Sequence, residues 1–224
     1  SLECEKKNVL EQRLHQRLKT YGYHDIQTPS FEYFDVFSQE VGTIPSRELF
    51  KFFDREGDTL VLRPDFTPSI ARSAAKYYMD ETRPIRMCYM GNTFVNNSSY
   101  QGRLKESTQL GAELLGDASP EADAEMIAMV IELLLDAGLK EFQVSIGQID
   151  FFKGFLLAAG LDEEQEFTLR ELISNKNNFG IEEFLDDIRM PKTCREAFIR
   201  MPQLFGNAEV LKEARRLADN SRSI

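Results

Sequence analysis

Four polar segments of the chain carry more detail than a core needs. In Leu62-Arg63-Pro64-Asp65-Phe66-Thr67, Asp65 and Thr67 stand two residues apart. In an extended turn such residues point the same way, and a carboxylate beside a hydroxyl suits an ammonium group. The same spacing serves a helix cap by either residue. In Gln109-Leu110-Gly111-Ala112-Glu113, a strand puts Gln109, Gly111 and Glu113 on one face. Gly111 between two polar groups leaves room over the sheet for a ligand. A plain solvent-facing sheet gives the same alternation. Leu110, Ala112 and Leu114 then face the core.

The third segment is the polar run Asn96 to Arg103, followed by Lys105. Arg103 at this loop is a candidate contact for a phosphate or carboxylate, although polar hairpin loops are the rule. The fourth runs from Tyr21-Gly22-Tyr23 to Thr28-Pro29-Ser30-Phe31-Glu32 and reads as a helix stop, an edge strand and a turn.

Other chemistries find little support. No Walker or dinucleotide fingerprint appears, so no cofactor is expected. Ser107 and Ser145 have no neighbouring histidine to activate them. Cys4, Cys88 and Cys194 are sparse and odd in number, without a disulfide framework or metal-ligand spacing. With only His15 and His24 and no visible partner for either, no metal site is expected. The formal net charge of −10 disfavours nonspecific nucleic-acid binding. No run of about 18 apolar residues exists to span a membrane. Ser1 to Asn8 is charged and lacks an apolar signal run, so a reducing cytoplasm is the expected location.

The elements that must position these residues follow from periodicity. Leu10, Leu14, Leu18 and Tyr21 mark a first helix ending at Gly22. His24 to Thr28 reads as extended, and Ser30 can cap a helix carrying Phe31, Phe34 and Phe37. Leu49–Phe53 and Thr59–Leu62 form a hairpin. Thr67 caps a helix that Pro68 starts. Ile85–Phe94 and Glu106–Leu115 are a long antiparallel pair. Ser119-Pro120 opens an amphipathic helix with Ile127, Val130, Ile131, Leu134 and Leu135 as its apolar face. Phe142–Ile146 reads as a strand. From about Phe152 the pattern turns to short helices with acidic faces, ending in a helix over Ala208–Asp219. The expected fold is α+β: an antiparallel sheet flanked by helices over residues 1–151, then a helical appendage over 152–224.

In this order the segments resemble the catalytic core of class II aminoacyl-tRNA synthetases of the histidyl type. Tyr21 to Glu32 resembles motif 1, which in that family builds the dimer interface. Leu62 to Arg72 resembles the histidine-binding turn, and Arg86 to Gly116 resembles motif 2. The resemblance implies that Asp65, Thr67, Gln109 and Glu113 hold the amino group and side chain of L-histidine. It also shows departures. Motif 2 of the enzymes carries Phe-Arg with a Glu two residues on, whereas this chain reads Phe94-Val95-Asn96-Asn97. An apolar Val95 cannot stabilise charge on the α-phosphate of ATP. The Phe that stacks on adenine falls at Ser107, which offers no stacking face. The second histidine motif, motif 3 and the anticodon domain do not follow, so the chain is expected to be a piece of a longer protein.

A synthetase fold without synthetase chemistry resembles the regulatory subunits of short-form ATP phosphoribosyltransferase, the enzyme of the first step of histidine biosynthesis. That resemblance implies a noncatalytic subunit that dimerises through motif 1 and assembles with the short catalytic subunit, with histidine feedback acting on the complex. The alternatives are a histidine–tRNA ligase fragment and a free-standing histidine-sensing module.

Overall fold

The computed structural model describes residues 1–38, 44–97, 102 and 104–221. The chain divides into two compact units, Ser1–Val144 and Ser145–Ile224. The division falls before Phe152, which lies inside a helix, Ile149–Ala159.

The first unit opens with α1 (Leu2–Thr20). Ser1 caps it by accepting from the Cys4 amide, acidic side chains lie in its first turn, and Arg17 and Lys19 lie in its last, as its dipole favours. Gly22, at φ +81°, carries the chain out of the helix. A three-stranded sheet follows: β5 (Ile85–Phe94) is central, with β1 (His24–Asp25) parallel on one side and β6 (Glu106–Leu115) antiparallel on the other. The expected strand pair holds register from Ile85 opposite Leu115 to Phe94 opposite Glu106.

The two faces of this sheet have different cores. Cys88, Leu110 and Ala112 pack with Leu18, Tyr23 and Met129 beneath α1 and α4 (Pro120–Asp136). Met87 and Tyr89 pack with Phe66 and Ile70, the latter on α3 (Thr67–Tyr77). The alternation along β5 and β6 therefore gives each face its own apolar core, with Gln109 and Glu113 on the face that carries Tyr89. Arg17 ties α1 to α4 through Asp136 at 2.6 Å.

A second antiparallel sheet has the order β2 (Phe31–Tyr33), β4 (Thr59–Leu62), β3 (Lys51–Phe53). It is closed on one face by Phe37, Leu49 and Val61. Phe37 comes from the short α2 (Asp35–Ser38). The remaining residues form α5 (Ile149–Ala159), α6 (Glu163–Ser174), α7 (Asn178–Asp187), α8 (Lys192–Arg200) and α9 (Val210–Ser221). Their core holds Phe155, Leu169, Leu185, Cys194, Phe198 and Leu217. Asp162 and Gln165 form a reciprocal capping box on α6. The acidic run Glu163–Glu166 thus sits at a helix N-terminus, where negative charge is stabilising.

Four local expectations change. Ser30 does not cap a helix: Phe31, Glu32 and Tyr33 alternate exposed, buried, exposed as strand β2. Glu32 is buried and ion-paired to Arg72 at 2.6 Å, an inward anchor that the three-residue spacing of phenylalanines could not reveal. Phe142–Ile146 forms no strand, and its residues are exposed without a partner strand among the described residues. On α4 the buried positions are Ala122 and Met129, with Met126 and Leu133 packed beside Met129; of the expected face, Ile127, Ile131 and Leu134 are half-buried and Val130 and Leu135 are exposed. The helix is apolar over more than one stripe, so periodicity alone does not show that Ala122 and Met129 are the positions turned furthest inward. Thr67 does not cap α3; the N-cap position is Phe66, with no side-chain cap.

Candidate functional site

The quartet forms on the sheet face that carries Tyr89. Asp65 lies in the turn between β4 and α3, and its Oδ1 accepts from the Phe66 amide at 2.7 Å. Gln109 on β6 donates to the same oxygen at 3.2 Å. Thr67, at the first position of α3, donates to Glu113 Oε1 at 2.7 Å. The structure therefore brings together all four residues expected from sequence, as two pairs that join the turn and the start of α3 to β6. The hydroxyl thought to cap a helix instead orients a carboxylate.

The floor beneath them is aromatic. Phe66 and Tyr89 stack at 4.4 Å with 16° between planes. Arg63 lies over the other side of the pair, its guanidinium 4.0 Å from the Phe66 ring centre. Arg63 is buried and donates to the Asn92, Thr28 and Pro29 carbonyls at 2.8, 2.8 and 3.2 Å. One side chain thus binds the motif 1-like turn, the end of β4 and β5 into one frame.

Two glycines explain how this stack lies flat on the sheet. Gly111 pairs with Tyr89 in the strand register, and Gly91 pairs with Gln109. A Cβ at Gly111 would drive into the Tyr89 hydroxyl and ring. One at Gly91 would come within 2.8 Å of Arg63 Nη2 and 2.9 Å of the Phe66 ring. The space over Gly111, expected to admit a ligand, is filled by Tyr89. The glycine makes room for a phenol, and a ligand would sit beyond it, against the quartet. Sequence reasoning missed Tyr89 and gave Arg63 and Phe66 no role, although both stand in the segment singled out around Asp65. The further trace was a glycine in each of two adjoining strands.

The electrostatics suit a cationic guest. Burial raises the Glu113 pKa above the ordinary carboxylate range, the nearby Asp65 charge adds to this, and the Thr67 hydroxyl opposes it. Burial, followed by the Glu113 charge, pushes the Tyr89 phenol up to about 12, so it stays a neutral hydroxyl at neutral pH. Two carboxylates, two hydroxyls and an amide offer acceptors to an ammonium or a protonated ring.

The other end of the β5–β6 hairpin is different. The Val95 amide donates to the Lys105 carbonyl at 2.9 Å, extending the hairpin with an apolar side chain. The Asn97 amide group turns back to the Leu104 carbonyl at 3.4 Å. Ser107 shares its hydroxyl with Thr93 at 3.2 Å. Lys105 donates to Asn96 at 2.9 Å. Arg103, the expected anion contact, lies outside the described residues. No helix among the described residues is long and apolar enough to cross a membrane.

Comparison with known proteins agrees with this frame. A family model described as histidyl-tRNA synthetase matches residues 2–224. A protein of Ruminiclostridium cellulolyticum named ATP phosphoribosyltransferase regulatory subunit is 43% identical, over 99% of this chain and 53% of its own length. One of Acetivibrio thermocellus with the same name is 42% identical over the same shares. The chain therefore spans about half the length of these curated relatives. A crystal structure from Bacillus halodurans, titled as an ATP phosphoribosyltransferase regulatory subunit/histidyl-tRNA synthetase, is 33% identical with a TM-score of 0.86, over 97% of this chain and 56% of that one. The sequence match, the shared class II core and the placement of the quartet converge: the chain belongs to the histidyl-tRNA synthetase family.

Proposed function

We propose that this chain works within a noncatalytic, cytoplasmic regulatory subunit of ATP phosphoribosyltransferase that senses L-histidine for a short catalytic partner. The observation that carries the reading is the contrast along one hairpin. Asp65, Thr67, Gln109 and Glu113 stand together at one end. Val95, Asn97 and Ser107 leave the other end without a cation or a stacking ring at the positions where the enzymes grip ATP. The names carried by relatives at 42–43% identity support the same reading.

In this reading the histidine ammonium meets the carboxylates of Asp65 and Glu113, with Thr67 holding Glu113 in place. Gln109 orients Asp65 and contacts the ligand's polar ring. Regulation then needs histidine to bind two states of the assembly with different affinity, typically a coupling of about 1–3 kcal/mol. The motif 1-like segment supplies the self-association surface. Phe31 and Tyr33, about half exposed on β2, give that segment an apolar outer face. An acidic balance suits a protein partner and opposes tRNA.

The test is phosphoribosyl transfer by the short catalytic subunit with and without the full-length version of this protein. Activity that appears only on mixing supports the reading. No change on mixing, with no co-elution, overturns it. Histidine-dependent ATP–pyrophosphate exchange by the full-length protein alone would instead support the ligase alternative.

A further inference from the structure

Away from the quartet, three metal-ligating side chains converge where α1, β1 and β5 meet. Asp25 and Cys88 are side by side in the parallel register of β1 and β5. His15 reaches them from α1. His15 Nε2 is 2.5 Å from Asp25 Oδ1, and Cys88 Sγ is 3.4 Å from that same oxygen. One donor atom from each of the three lies within 4.8 Å of the others. No partner for His15 is visible in the sequence because the three residues lie on separate elements, with no local spacing to read.

We propose that His15, Asp25 and Cys88 form a binding site for a divalent transition ion of the zinc class. Donors around one tetrahedral zinc, with bonds of about 2.0–2.3 Å, stand roughly 3.3–3.8 Å apart. The carboxylate–thiol distance already meets this, the imidazole nitrogen must move about 1 Å away from the carboxylate, and it lies within 4.8 Å of the thiol, close enough for a side-chain adjustment to complete the set. An imidazole, a thiolate and a carboxylate are the nitrogen, sulfur and oxygen donors that zinc takes, and the two anionic ligands balance its charge.

Lys19 does not block the site. Its ammonium holds Asp25 Oδ2 at 2.6 Å and leaves Oδ1 facing the histidine and the thiol. It acts as an outer partner that keeps the carboxylate monodentate. Lys19 alone would suffice to neutralise Asp25, so a simple ion-paired clasp does not need a buried thiol beside it. Cys88 is fully buried, shielding the sulfur side. His15 and Asp25 also lie at the border of a cleft of about 780 Å³ that extends to Arg63, Phe66 and Tyr89, and from which a water can complete the fourth position. On binding, the thiol proton leaves to solvent and a metal–sulfur bond forms, with no redox change. The burial that pushes this thiol up to about 11 makes the metal-free form a neutral hydrogen-bond donor to Asp25.

The inference stands apart from the regulatory reading, and its test needs neither histidine nor the catalytic subunit. Metal-free full-length protein is titrated with Co²⁺ and followed by absorption. The expected result is a thiolate-to-cobalt charge-transfer band that saturates at one equivalent and disappears when Zn²⁺ is added. Cys88→Ser is expected to abolish the band. His15→Gln, at a partly exposed helix position, is expected to weaken binding by about tenfold or more. Cys194→Ser is expected to leave the band unchanged. No band in the wild-type protein, or a band that survives Cys88→Ser, overturns the site.

Discussion

The two ends of the β5–β6 hairpin are built from the same antiparallel ladder, yet they carry opposite chemistry. Near Gln109 and Glu113, side chains from a turn, a helix and two strands converge, and each polar group is held by a named partner. Near Val95 and Ser107, the described side-chain hydrogen bonds of Asn96, Asn97, Lys105 and Ser107 join hairpin residues to one another, and backbone amides reach outside, Asn96 to the Glu48 carbonyl at 2.8 Å and Phe94 to the Arg63 carbonyl at 3.0 Å. The difference teaches that the two ends are held differently: the inner groups are side chains fixed by several elements, whereas Val95 continues the ladder through its backbone alone. In the proposed reading, a change at the outer end costs a phosphate contact without disturbing the ladder.

The largest expected effect breaks the inner end. Asp65→Ala or Glu113→Ala is expected to weaken histidine binding by about 10–100-fold, the worth of one charge-assisted hydrogen bond. Far-ultraviolet circular dichroism is expected to stay native, because both side chains lie at the rim of the core. Unchanged affinity in both variants, read by calorimetry, would show that the quartet is a relic. Asn97→Ala and Ser107→Ala at the outer end serve as the contrast, with affinity within about twofold of wild type, since neither side chain reaches the quartet.

Next comes the floor. Gly111→Ala forces a methyl into Tyr89. Overpacking of this kind is expected to cost about 1–3 kcal/mol, seen as a lower urea midpoint. Tyr89→Leu in the same chain is expected to recover part of the loss by withdrawing the ring. If Gly111→Ala proves neutral, the close approach of Tyr89 does not limit the fold.

A smaller effect follows from the raised Glu113 pKa. The folded state holds this proton more tightly than the unfolded state. Stability attributable to Glu113 is therefore greatest at acid pH and falls as pH rises through the window above the ordinary carboxylate value. Glu113→Gln is expected to flatten that part of the urea-midpoint profile and to raise the midpoint slightly at neutral pH. Histidine affinity should run the other way in the wild type, rising with pH as Glu113 ionises. A profile in which the Gln variant keeps the same slope would assign the pH dependence to another group.

Restoring the outer end is the subtlest experiment. Val95→Arg supplies the missing cation, but Asn97 and Ser107 still lack the family's acidic and aromatic groups. No ATP–pyrophosphate exchange is expected from this single change, and detectable exchange would show that one residue alone separates the two chemistries.

Much of the frame is legible in the sequence. The β5–β6 pair, the β3–β4 hairpin, α1 and its glycine stop, and the start of α4 all follow from alternation, helical spacing and caps. The quartet was legible as two spaced pairs, and more firmly through family resemblance. Three kinds of feature were not. Phe31–Tyr33 shares its spacing with a helix, and only the long-range pairing to β4 and the buried Glu32–Arg72 ion pair decide for a strand. The Phe66–Tyr89 stack joins a turn to a strand, so no local window contains it. His15, Asp25 and Cys88 meet through tertiary packing alone. Local periodicity reports on one element at a time, while these features belong to pairs of elements.

The most direct measurement is a calorimetric titration of L-histidine into the full-length protein and its Glu113→Ala variant, at neutral pH. Saturable binding by the wild type and a loss of about tenfold or more in the variant is the expected result. No binding by the wild type, or equal affinity in both, would contradict the claim that this chain keeps the amino-acid half of a synthetase site.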